Sequence, residues 1–125
     1  MNKTKITIWG RDFELDVSME CYPGEIVLDS QKSALEVLLN ATGAIENAKT
    51  QVEEYVMTNN KESFPDGKMD NIFRYVMPVK IFVPHDKKHG LAAILCNYRF
   101  DMEHGLAVLF ENGTYKSVGS QDTVL

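Results

Sequence analysis

At 125 residues, 44% hydrophobic and 25% charged, the chain has the make-up of one ordinary globular domain (1–125) and neither a disordered nor a collagen-like composition. Thirteen basic against eighteen acidic residues leave a formal charge of −5, which repels phosphate backbones, so the expectation is no nucleic-acid partner. No run approaches the ~18 apolar residues of a membrane span, and MNKTKITIWGRDFELD lacks the apolar core of a signal peptide, so no membrane partner and a cytoplasmic location are expected.

KITIW (5–9) and FELDVSME (13–20) alternate apolar with polar residues on either side of Gly10-Arg11, the pattern of a half-solvated antiparallel hairpin. Tyr22-Pro23-Gly24 breaks the strand, and EIVLD (25–29) reads as a short further strand or an extended approach to a helix. Asp29 or Ser30 caps a helix over about 31–40, and a second helix over about 44–58 places Ile45, Ala48, Val52, Tyr55 and Val56 on one side. NNKESFPDGK (59–68) is a polar loop, and Asp70 to Val76 has room for one or two helical turns before Pro78 stops them.

The last third reads as strands at 79–84, 91–100, 106–110 and 114–119, with Asn112-Gly113 as a two-residue hairpin turn. Short connections make sequential antiparallel pairing the natural topology. The expected fold class is α+β: an antiparallel sheet, formed by a C-terminal meander and the N-terminal hairpin, with two helices on one face.

Cys21 and Cys96 are the only cysteines, and two thiols so far apart in a chain expected to be cytoplasmic fit reduced side chains, Cys96 as an inert core thiol. HGLAAIL (89–95) and HGLAVLF (104–110) echo each other, which suggests a metal site shared by His89 and His104. In a meander they fall at opposite ends of a strand of about eight residues, about 26 Å apart at ~3.3 Å per residue. Zinc holds its ligands within ~2.1 Å, so the pair cannot share an ion and no metal or cofactor is expected. His85, beside lysines in a loop, reads as a solvated side chain.

The remaining cluster is FDMEHG (100–105). In one reading Asp101 accepts backbone N–H groups across a turn, and Gly105, like Asn112 and Gly113, is a structural turn residue. In another, Phe100, Asp101, Glu103 and His104 form a binding surface. In a third, Asp101, Glu103 and His104 are the acid/base or metal groups of a hydrolase. No HExxH, CxxC, GxSxG or P-loop pattern occurs, which leaves no catalytic residue assigned.

Taken together, EIVLDSQKSALEVLL (25–39), the second helix from Ile45 to Tyr55 and CNYRFDMEHGLAVLFENGTYKSVG (96–119) resemble a family of small bacterial proteins known only as a domain of unknown function. Its members close on a Cys-x-[WF]-Asp-x-Glu-His-Gly-[LI]-[AG] hairpin; here Phe100 stands where tryptophan is common, and Tyr98 and Arg99 are inserted before it. The resemblance implies a shared fold and no established activity. By analogy it implies an immunity-type role. The favoured expectation is a non-catalytic, protein-binding module with a basic, toxin-like or other protein partner. A homodimer through a sheet edge is the structural alternative, since a free edge invites pairing.

Overall fold

The computed structural model describes residues 3–21, 23–85 and 90–124. Six strands form one sheet in sequence order: β1 (Lys3–Ile8), β2 (Arg11–Met19), β3 (Val76–Val83), β4 (Leu91–Tyr98), β5 (Leu106–Glu111) and β6 (Thr114–Gly119). Two helices, α1 (Asp29–Asn40) and α2 (Thr42–Asn59), connect β2 to β3 and pack against the sheet. This is the expected α+β arrangement, refined at one seam. β2 and β3 pair in parallel, whereas every other neighbouring pair is antiparallel. The connection through two helices carries the chain from the end of β2 back to the opposite end of the sheet, where β2 began, and a parallel pair requires such a crossover.

Period-two alternation sorts the strands into two faces. Ile6, Leu15, Ile81, Ala92, Ile94, Cys96, Leu106, Val108 and Phe110 point at the helices and join Ala34, Leu38, Ile45, Ala48, Val52 and Val56 in the main core. On the opposite face Phe82, Ala93, Leu95 and Ala107 form a second, smaller cluster, against which Leu109 and Val124 pack. Val124 reaches it from the short 3-10 turn Gln121–Thr123 that follows β6.

The sheet curls strongly. α2 touches both edge strands, β1 and β6. Near its start the Trp9 indole donates to the Ile45 carbonyl (3.0 Å), and at the α1–α2 joint a Cβ on Gly113 would meet Val37 and Ala41. Ala41 and Ile45 are one helical turn apart, ~6 Å, yet the hairpins they touch belong to opposite edges of a sheet that would be about 24 Å wide if flat.

Several local features differ from the sequence expectations. Of the two readings of 25–29, the structure has no strand but an approach through extended Leu28, and α1 begins at Asp29 with Leu28, not Asp29 or Ser30, at the N-cap position. Its first turn is organised by Gln31, which accepts from the Leu28 N–H (2.8 Å) and donates to the carbonyls of Glu20 (2.8 Å) and Val83 (3.2 Å). The helical segment before Pro78 is only the 3-10 turn Ile72–Arg74, which ends before β3, and Pro78 is a buried member of that strand beside a bulge, the place in a sheet where a missing N–H is tolerated. The side chain of His85 is not solvated. It is about 10% exposed, with Nε2 3.4 Å from the Ile26 carbonyl and 3.8 Å from the Glu25 carboxylate, and its backbone N–H donates to Glu20 (3.0 Å). The histidine of the first echo, His89, lies outside the described residues. The glycines of both echoes, Gly90 (φ 58°) and Gly105 (φ 63°), are left-handed immediately before β4 and β5, so the repeat marks two strand starts at opposite ends of β4.

Candidate functional site

Because β2 and β3 run in parallel and β4 returns, one end of the sheet gathers the β1–β2 turn, the approach to β3 and the β4–β5 turn. Residues 101–104 sit in this last turn. Asp101 shapes it: its main-chain N–H donates to the Tyr98 carbonyl (3.1 Å), its carbonyl accepts from Gly105 (2.9 Å), and its carboxylate accepts from the His104 N–H (3.2 Å). The His104 ring closes the same loop, with Nδ1 3.0 and 3.1 Å from the two Asp101 carboxylate oxygens. Nε2 faces Asp122 at 3.9 Å.

The electrostatics follow from these contacts. The hydrogen bonds and positive charge of His104 hold the Asp101 carboxyl below the usual aspartate range. Asp101 chiefly, by its hydrogen bond and its charge, raises His104 above the usual histidine range, with Glu103 and Asp122 adding to it. Both side chains remain nearly half exposed.

Phe100 does not lie open on this turn. Its ring stacks on Tyr75 (5.4 Å between centroids, 8° between planes) and meets the rings of Tyr98 and Phe64 edge-on. Tyr98 is buried and accepts from Asn60 Nδ2 (2.9 Å). The turn therefore grows from a base of packed rings, while Met102 at its tip is 70% exposed. Gly105 is a close-approach position: a Cβ there would sit 2.5 Å from Gln121 Nε2 and 3.0 Å from the Cys96 carbonyl. Gln121 fills that space, donating from its side chain to Cys96 O (3.1 Å) and from its backbone to His104 O (3.1 Å). Asn112 (φ 51°) and Gly113 (φ 78°) are both left-handed, as the two-residue turn requires, and lie at the other end of the sheet.

No cluster of three His, Cys, Asp or Glu side chains with metal-ligand geometry occurs among the described residues. Cys96 is fully buried, and burial pushes its thiol far above the ordinary range, so it has no thiolate to pair with the exposed His104. A cleft of about 690 Å³ lies away from the turn along β1 and is lined by Lys5, Thr7, Asp12, Glu14, Leu39 and Thr42. Within it Thr7 donates to Asp12 (2.7 Å), and Lys5 lies opposite Glu14 in the β1–β2 register. A shallower depression of about 180 Å³ does adjoin the turn, between Met102, Arg99, Arg74 and Phe73. The sequence reading assigned no role to these side chains. Their common signal, an arginine or aromatic next to a strand end, acquires meaning only once strand order is known.

A model of one family, described as a domain of unknown function (DUF6985), matches residues 1–125, and the chain belongs to that family. No curated protein and no solved structure matches the chain at significant similarity. No described helix is long and apolar enough to cross a membrane.

Proposed function

We propose that this DUF6985 member is a non-catalytic, protein-binding module whose recognition element is the β4–β5 turn. The observation that carries the reading is the shape and stiffness of that turn: Met102 projects 70% exposed from a base of stacked rings, between residues locked by the Asp101–His104 pair. A turn already held by internal hydrogen bonds has little backbone entropy left to lose on docking, and an adaptable thioether at its tip can fill an irregular apolar pocket, which favours recognition. Asp101, Glu103 and Asp122 surround His104 with negative charge, suited to speeding encounter with a basic protein. An immunity-type role, in which the turn occludes a toxin's working surface, is the form of binding that the family resemblance suggests.

Hydrolysis by Asp101, Glu103 and His104 is the competing reading. What favours binding is that none of the described clefts is built around these three side chains, whereas bond cleavage needs a substrate held against them. The test is a photo-crosslinking amino acid placed at position 102, and separately at exposed Lys32 on α1, with both proteins expressed in the native host. A discrete stoichiometric adduct at 102 and none at 32 is expected. No adduct at either position, or equal adducts at both, would remove the proposal.

A further inference from the structure

The chain holds three arginines, Arg11, Arg74 and Arg99, and all three lie at the same end of the sheet as the β4–β5 turn. Arg11 opens β2, Arg74 ends the 3-10 turn that leads into β3, and Arg99 follows β4 directly. Tyr75 bonds this arrangement together, its carbonyl accepting from the Arg99 N–H at 2.8 Å. Arg74 and Arg99 border the 180 Å³ depression, whose apolar surface comes from Phe73, Tyr75, Met77 and Met102. Arg11 is held over the Phe13 and Phe73 rings, 5.5 and 5.3 Å from their centroids. A guanidinium stacked in this way keeps its in-plane N–H donors available.

None of the three forms a salt bridge with a carboxylate among the described residues. That is notable in a chain with eighteen acidic residues and a charge of −5. Of the turn's acids, Asp101 and Asp122 lie within 4 Å of His104 and Glu103 adds its charge there, while Asp12, beside Arg11, accepts from Thr7. The turn thus divides this end of the molecule into a carboxylate side and an arginine side, with Met102 between them.

We infer that the arginine side binds an acidic, extended peptide segment of a partner protein, its carboxylates meeting Arg74, Arg99 and Arg11 and one apolar side chain entering between Phe73 and Met102. This rests on the protein-binding reading above and specifies the second half of the partner's surface. The depression is smaller than the roughly 300 Å³ at which small-molecule sites begin, and its size suits a single anchoring side chain. The net negative charge of the chain opposes a nucleic acid, whose continuous phosphates would meet the carboxylate side as well.

The test is fluorescence polarisation of the whole protein against a fluorescein-labelled octapeptide alternating glutamate and leucine. A lysine–leucine octapeptide and a twelve-nucleotide oligothymidylate serve as competitor probes. The expected result is saturable binding of the acidic peptide, weakened by added salt and weakened about tenfold or more by Arg74→Glu with Arg99→Glu. Arg74→Gln with Arg99→Gln, together with amide-shift mapping at Phe73, Arg99 and Met102 in the unaltered protein, guards against a folding artefact of the reversal. Absence of binding to the unaltered protein, equal binding by the variants, or equal binding of either competitor would overturn the inference. The crosslinking result at position 102 is independent of these outcomes. An adduct there with no acidic-peptide binding sinks the arginine site alone, and peptide binding with no adduct sinks the functional reading.

Discussion

Single side chains do more structural work here than their residue types suggest. Gln31 is fully buried and satisfies three backbone groups from three separate segments. Gln31→Leu preserves bulk but strands those groups, and a loss of about 2–4 kcal/mol is expected, read as a lower urea midpoint at unchanged slope. The two thiols differ in the same physical way: Cys21 is exposed and Cys96 is enclosed. One thiol per chain is therefore expected to react promptly with a disulfide reagent in native buffer, and the second only after unfolding. A proton governs the Asp101–His104 clasp. His104 is raised above its ordinary 6.5, so its contribution is complete below that value and fades as pH rises through the raised one. Asp101 is lowered below its ordinary 3.8, so its contribution is complete above that value and fades as pH falls through the lowered one. Both partners are fully engaged between those ordinary values. An NMR titration of the His104 ring is expected to give a midpoint above 6.5 that falls in Asp101→Asn; an unchanged midpoint would remove the clasp as its cause.

At the scale of elements, legibility tracked how local the governing physics is. Asn112-Gly113 was readable because its left-handed geometry depends on two adjacent residues whose preference is known. The turn between β1 and β2 was legible too, but one residue out, at Gly10-Arg11 instead of Trp9-Gly10, because its left-handed first residue is Trp9 (φ 52°), a residue that favours strands. Tertiary contacts hold it there: the indole bonds Ile45, the ring lies 6.0 Å from Phe73, and the backbone N–H donates to the Glu46 carboxylate. Phe64 likewise looked like part of a polar loop but is buried against Tyr75 and Phe100. Turn residues 101–105 were legible as a turn; the arginine side beside them was not, since its members come from three segments. Gly105→Ala probes the element they share. It places a methyl group on Gln121 at a left-handed position, and a loss of about 1–3 kcal/mol with faster amide exchange in residues 121–124 is expected.

Across the whole molecule, two apolar layers of unequal size depend on different coverings. The larger is capped by both helices, the smaller by residues that follow β6. Val124→Asp is expected to leave the helix-covered core folded while raising binding of an apolar dye, because the exposed cluster of Phe82, Ala93, Leu95 and Ala107 would lose part of its cover. Unchanged dye binding would show that Val124 contributes little there. The same two-sidedness bears on assembly: the outer edge of β1 carries Lys3 and Lys5, a charge pattern that discourages a second β1 from aligning against it.

The parallel seam between β2 and β3 has a kinetic corollary. The N-terminal hairpin and the C-terminal meander can each form from residues close in sequence, but joining them must wait until both helices have closed the intervening loop. The seam is then the bottleneck of self-assembly, and shortening Val17 or Ile81, whose contacts form across it, should slow refolding while leaving the unfolding rate nearly unchanged.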